Sequence, residues 1–211
     1  MNTRPQQDAM VLIIDDDEAV REGLAALFRS VGLQVTLFAS AAEFRQTSLP
    51  EVPSCLVLDI RLPGLGGLEF QADLARANIQ IPIIFMTGHG DIPMSVRAMK
   101  AGAVEFLTKP FRDHDMLDAV QLAIEQDRKQ HQDAAATFKL KASFETLSPR
   151  EQQIMSLVAA GLMNKQIAAE IGVSEVTVKV HRGSVMRKMG AKSIADLVRL
   201  SDALGTQAKS K

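Results

Sequence analysis

Five polar residues whose chemistries complement one another are scattered through the first 109 residues of this 211-residue chain: Asp15, Asp16, Asp59, Thr87 and Lys109. Each stands where a short apolar run stops, after VLII, CLVL, IPIIFM and VEFLT respectively, with the two adjacent acids sharing the first run. Runs of that kind read as buried parallel strands, and open sheets of parallel strands bind ligands at the edge where the strands end. Four strands would therefore deliver three carboxylates, a hydroxyl and an amine to one place. Three crowded carboxylates repel unless a cation sits among them, and an all-oxygen donor set, beside an amine and a hydroxyl that would suit a phosphoryl partner, favours Mg²⁺.

The elements that must hold these residues follow from the hydropathy pattern. Strands are expected over 10–14, 34–38, 55–58, 81–86 and 104–107, and helices over 18–31, 41–47, 68–78, 93–100 and 115–129. Gly32 and Gly102 mark helix ends. Strictly alternating strands and helices imply an α/β fold, a doubly wound five-stranded parallel sheet.

Charge divides the chain. Residues 1–136 carry a net −7 and residues 137–211 a net +6, although the whole is near neutral. A basic C-terminal part suggests a polyanionic partner. Length agrees with two cores, one of about 120 residues and one of about 65. Cys55 is the single cysteine and lies within an apolar run, so it reads as core packing in a reducing compartment. No stretch approaches the uninterrupted apolar length of a membrane span, and the N-terminus has no secretory pattern, so a cytoplasmic protein without membrane contact is expected.

The basic part opens with Ser148, Pro149 and Glu151, an N-cap, a first-position proline and a capping-box glutamate. Further short helices follow, with Asn164, Ser174 and Ser193 as expected caps and Gly161 and Gly172 as stops. Four short helices with tight turns describe an all-α helix-turn-helix bundle. On the third, Val178, Val185 and Met189 share one face, and Lys179 and Arg182 share another that could enter a DNA major groove. Before that bundle, three-and-four spacing through Leu117, Val120, Ile124, His131, Ala135 and Phe138 fades. A looser connection is therefore favoured over a continuous helix.

The ordered set IDDD, LDIRLPG, MTGHGD, AMKAGAVEFLTKPF and SEVTVKVHR resembles the FixJ-like branch of the NarL/LuxR response regulators of two-component systems. The resemblance implies a flavodoxin-like receiver domain at 1–128, a linker at 129–143 and a LuxR-type DNA-binding domain at 144–211. It makes Asp59 the phosphoacceptor, fed by a sensor histidine kinase. Asp15, Asp16, Asp59 and the Arg61 backbone carbonyl become the Mg²⁺ site, with Asp16 and Asp59 as direct ligands. Lys109 and Thr87 would bind phosphoryl oxygens, Phe106 would be the switch aromatic in a chain with no tyrosine, and the Lys109–Pro110 peptide would be cis. His89 would line the pocket rim with Arg61, and Asp17 and Glu18 would be first-turn acids of the helix rather than ligands.

From the same resemblance, phosphorylated chains would form a homodimer through helix 93–100, strand 104–107 and helix 115–129. They would bind double-stranded DNA, with Lys179, Val180 and Arg182 reading bases and Thr177, His181 and Lys188 nearer phosphates. Transcription would be regulated, most simply activated through RNA polymerase. Gly183 departs from relatives that place a longer side chain there. An aspartyl-phosphate enzyme is the rival reading, but Arg61 stands where such an enzyme would carry a second acid two residues beyond its nucleophile. The expected chemistry is therefore limited to the chain's own phosphorylation and dephosphorylation.

Overall fold

The computed structural model describes residues 9–88 and 92–205, and the expected rim residue His89 lies outside them. Two compact units divide between His131 and Gln132.

In the first unit, strands β1 (Met10–Ile14), β2 (Gln34–Phe38), β3 (Ser54–Asp59), β4 (Ile83–Thr87) and β5 (Glu105–Thr108) form one parallel sheet in the order β2-β1-β3-β4-β5. Between them run α1 (Glu18–Ser30), α2 (Ala41–Arg45), α3 (Gly67–Arg76) and α4 (Ile92–Lys100), and α5 (Asp113–Glu145) follows β5. The strand order reverses between β1 and β3, which creates the crevice where such sheets take ligands. Register pairs Ile14 with Leu58, Asp59 with Met86, and Thr87 with Thr108, so the chemistry-bearing residues leave the sheet at one level.

Alternate side chains of the central strands feed separate cores on the two faces. Leu12, Ile14, Leu56, Leu58 and Phe85 pack with α2 and α3 residues. Val11, Ile13, Cys55, Val57 and Ile84 pack with α1 and α5 residues. Cys55 is buried, as its apolar run implies, and burial pushes its thiol pKa up. Asp127 of α5 is buried too, accepting the Ser54 N–H at 2.7 Å, and desolvation raises its pKa.

The second unit contains α6 (Pro149–Ala159), α7 (Asn164–Ile171), α8 (Glu175–Lys188) and α9 (Ile194–Ala203) around Ile154, Val158, Ile167, Val178, Val185 and Leu197. Its capping box forms as the sequence implies: Ser148 Oγ accepts the Glu151 N–H, and a Glu151 carboxylate oxygen accepts the Ser148 N–H at 2.7 Å.

Two local expectations are corrected. Residues 129–143 are not a loose connection but part of α5, which is unbroken from Asp113 to Glu145. The apolar stripe fades, but no glycine or proline interrupts 113–148 and the segment is rich in strong helix formers. Leu140 and Phe144 also pack on the core of the second unit. Asn164 is not the cap of α7 but its first residue. Met163 occupies the cap position, and its N–H donates to Gln166 Oε1 at 2.8 Å.

Candidate functional site

Asp15 follows the last residue of β1, Asp59 ends β3, Thr87 ends β4, and Lys109 follows β5. Asp15 is 1% exposed, Asp59 8% and Thr87 0%, whereas Asp16 faces solvent. One carboxylate oxygen from each of Asp15, Asp16 and Asp59 lies within 4.8 Å of the others. Lys109 Nζ sits between two of them, donating to Asp15 Oδ2 at 2.7 Å and to Asp59 Oδ2 at 2.8 Å. Lysine therefore supplies part of the charge compensation that the sequence assigned to a metal alone.

Backbone amides fix the remaining oxygens. Asp15 Oδ1 accepts the Asp17 N–H at 2.9 Å, and Asp59 Oδ1 accepts the Arg61 N–H at 2.8 Å. Burial pushes the Asp15 carboxyl above the usual aspartate range despite the opposing Lys109 hydrogen bond. The two carboxylates hold the Lys109 ammonium above the usual lysine value despite its own desolvation. Lys109 is aimed by its backbone, which donates to the Thr87 carbonyl at 2.7 Å, and the Lys109–Pro110 peptide is cis. Asp17 caps α1 by accepting the Ala19 and Val20 N–H groups, so it stands apart from the acidic cluster.

Phe106 is half-buried against the core on the α3 side of the sheet and pairs in register with Phe85. Nearby, Ile92, Val96 and Met99 form an exposed apolar stripe at four-and-three spacing along α4.

One residue of this site escaped the sequence reading. Gly67 opens α3 so close to the exit of β3 that an added Cβ would stand 2.7 Å from the Asp59 carbonyl oxygen and 2.9 Å from Ile60 Cα. Its N–H donates to the Ile60 carbonyl at 2.9 Å. The only signal in the sequence is the glycine-rich run at 64–67, which does not distinguish a turn glycine from a packing glycine.

In the second unit α7 and α8 are joined through Gly172, whose φ is +68°, and Ser174 caps α8 through the Thr177 N–H at 3.1 Å. Lys179 and Val180 are exposed, and Thr177, His181 and Arg182 are half-buried. Arg182 Nη1 donates to Asn164 Oδ1, which gives Asn164 a role other than capping. Lys188 is not presented as a free cation beside Lys179. Its ammonium donates to Glu151 Oε2 at 2.7 Å and to the Thr146 carbonyl at 3.1 Å. Glu151 is buried and also accepts the Ser184 hydroxyl at 2.6 Å. Lys188, then Ser184, draw its carboxyl down to about 2.

An acidic pocket at a receiver-type switch point and a capped helix-turn-helix are thus carried by one chain. Residues 11–121 match the response regulator receiver domain, and residues 145–201 match the bacterial regulatory proteins of the luxR family. The chain belongs to the FixJ-like response regulators of the NarL/LuxR family. It is 59% identical to nodulation protein W of Bradyrhizobium diazoefficiens over 98% of this chain and 91% of that protein. To the transcriptional regulatory protein FixJ of Rhizobium meliloti it is 43% identical, over 94% and 97% of the two chains. Among solved structures, the response regulator StyR aligns with TM-score 0.83 at 48% identity, covering 92% of this chain and 98% of that one. The family makes this response regulator a two-component transcription regulator, not an enzyme of the ordinary kind. No helix among its described residues is long and apolar enough to cross a membrane.

Proposed function

We propose that this response regulator accepts a phosphoryl group on Asp59 from a phosphohistidine of a sensor histidine kinase in the cytoplasm, dimerises, and binds DNA to activate transcription. The observation that carries the reading is the placement of Asp59 Oδ2 against Lys109 Nζ at the crevice between β1 and β3. A free Asp59 oxygen lone pair attacks phosphorus, the new O–P bond forms, the P–N bond to the donor histidine breaks, and the released imidazole nitrogen keeps the electron pair. Lys109 is within reach of the Asp59 carboxylate and offers its ammonium to the phosphoryl oxygens. Thr87, buried one strand away, offers a hydroxyl to one of them.

The all-oxygen donor set of Asp15, Asp16 and Asp59, with the Arg61 carbonyl, fits Mg²⁺ and would hold it. When bound, that ion supplies positive charge that offsets the repulsion among carboxylates and phosphoryl oxygens. Three carboxylates against one ammonium leave a formal excess of negative charge that Lys109 does not cancel.

Drawing Thr87 toward the phosphoryl group changes the space beside Phe106, and the exposed Ile92, Val96 and Met99 stripe on α4 supplies an apolar surface for a second copy. Pairing two receivers raises the effective concentration of two helix-turn-helix domains on symmetric half-sites. Lys179, Val180 and Arg182 would then face bases, with Thr177 and His181 near phosphates and RNA polymerase recruited nearby. The contacts of Lys188 with Glu151 and Thr146 favour a role inside its domain over a phosphate contact.

The test is incubation of the full chain with Mg²⁺ and acetyl phosphate, followed by peptide mapping of the acyl phosphate. Label confined to Asp59, absent from Asp59→Asn and absent without Mg²⁺, is expected. Equal labelling of Asp59→Asn would refute the assignment, and sustained hydrolysis of many phosphoesters per chain would favour the enzyme reading.

A further inference from the structure

Two valines of α8 face solvent while their helix-mates are hidden. Val176 is 73% and Val180 66% exposed, whereas Val178 and Val185 are fully buried in the core of the second unit. Four residues separate the exposed pair, so they lie one turn apart on the outer face, with Lys179 between them. One turn further stands Gly183, where an added Cβ would meet open space among the described residues. The outer stripe therefore presents apolar, cationic and apolar groups in turn and then ends.

This stripe occupies the first half of a helix-turn-helix second helix, the part that contacts base edges when such a helix enters the major groove. The apolar group in that groove is the C5-methyl of thymine. A valine can neither donate nor accept a hydrogen bond, so that methyl is the base feature it can distinguish. Lys179 and the net positive charge of residues 137–211 set the polarity of the surroundings to match phosphates.

Resting on the DNA-binding reading above, in which Val180 already faces bases, we infer that Val176 is a further specificity-determining residue and that it reads a thymine methyl group of its own. Four residues of helix rise separate the two by about 6 Å, more than the roughly 3.4 Å between stacked bases, so the two side chains reach different bases. The half-site therefore contains a methyl-sensitive thymine for Val176 distinct from the one that faces Val180.

The experiment uses the full chain with Mg²⁺ and beryllofluoride on its selected DNA site, with each thymine in turn replaced by deoxyuridine, which removes only the methyl. Wild type should lose about three- to fivefold in affinity at each of two positions, the scale of exposing one methyl-sized apolar group. Val176→Ala should become insensitive to uracil at one position and Val180→Ala at the other. Both side chains are exposed, so thermal unfolding of these variants should match wild type and exclude misfolding as the cause. If Val176→Ala keeps every wild-type loss, the methyl contact is refuted while DNA binding stands. A loss of self-association in Val176→Ala with unchanged uracil sensitivity also overturns it, because the stripe is then a protein interface. Selection of no DNA at all removes the DNA-binding reading itself, and this inference with it.

Discussion

Replacing Gly67 by alanine adds one methyl group, and the structure gives that methyl nowhere to go. Its Cβ would lie 2.7 Å from the Asp59 carbonyl oxygen, 2.9 Å from Ile60 Cα and 3.2 Å from a Phe85 ring carbon. Ordinary contact begins near 3.4 Å, so α3 and the exit of β3 must separate by about 0.7 Å. The two closest atoms are backbone and cannot rotate away. Overpacking of this kind costs about 1–3 kcal/mol, and a first-turn position recovers little helix propensity in return. For a receiver of this size that is a fall in melting temperature on the order of 5–10 °C. The displaced backbone belongs to Asp59, so the rate of phosphorylation should fall with it. Gly23→Ala is the matched control. It lies within α1 with nothing within 4 Å of an added Cβ, and should stabilise by about 0.5–1 kcal/mol. Urea unfolding of the receiver transition and acetyl-phosphate labelling read both effects. The reasoning is refuted if Gly67→Ala unfolds within the ~0.5 kcal/mol expected of an indifferent surface change.

Other residues give equally specific outcomes. Val96→Glu places a charge on the apolar stripe of α4 and should weaken self-association of the phosphorylated chain about tenfold or more, a penalty of roughly 1.4 kcal/mol, with labelling of Asp59 unchanged by peptide mapping. Glu151 has a folded-state pKa of about 2 against an ordinary 4.5, so its contribution to stability is complete above about pH 4.5 and is lost as pH falls toward 2. Glu151→Gln should flatten that part of the acid dependence of the second unit in pH-dependent unfolding; an unchanged profile would contradict the network with Lys188 and Ser184. Lys179→Ala should cost about 1–3 kcal/mol of operator binding and relax base preference at one position. Retained affinity and preference in a binding titration would take Lys179 off the DNA.

The acidic pocket was legible because its residues punctuate strands: a polar atom at the end of an apolar run can only lie at the sheet edge, so Asp15, Asp59, Thr87 and Lys109 converge once the strands are parallel. The sheet itself followed from strict alternation of strand and helix periods. What stayed hidden depended on distance along the chain. Gly67 matters through an approach to Asp59 and Ile60 that no local pattern encodes. Lys188 looked like a surface cation until the fold brought it to Glu151, 37 residues earlier. Asn164 has the chemistry of a cap, yet Gln166 satisfies the Met163 N–H and frees the asparagine for Arg182. The helical run of α5 through residue 145 rests on strong helix formers and the lack of any breaker, which a fading apolar stripe does not reveal.

The most direct measurement is selection of bound sequences from a random DNA pool by the full chain, with and without Mg²⁺ and beryllofluoride, a stand-in for the phosphoryl group on Asp59. The account predicts a paired, two-fold symmetric motif enriched mainly in the presence of beryllofluoride. Equal enrichment of the same motif in both conditions would contradict phosphorylation as the gate, and no enrichment in either would contradict DNA binding itself.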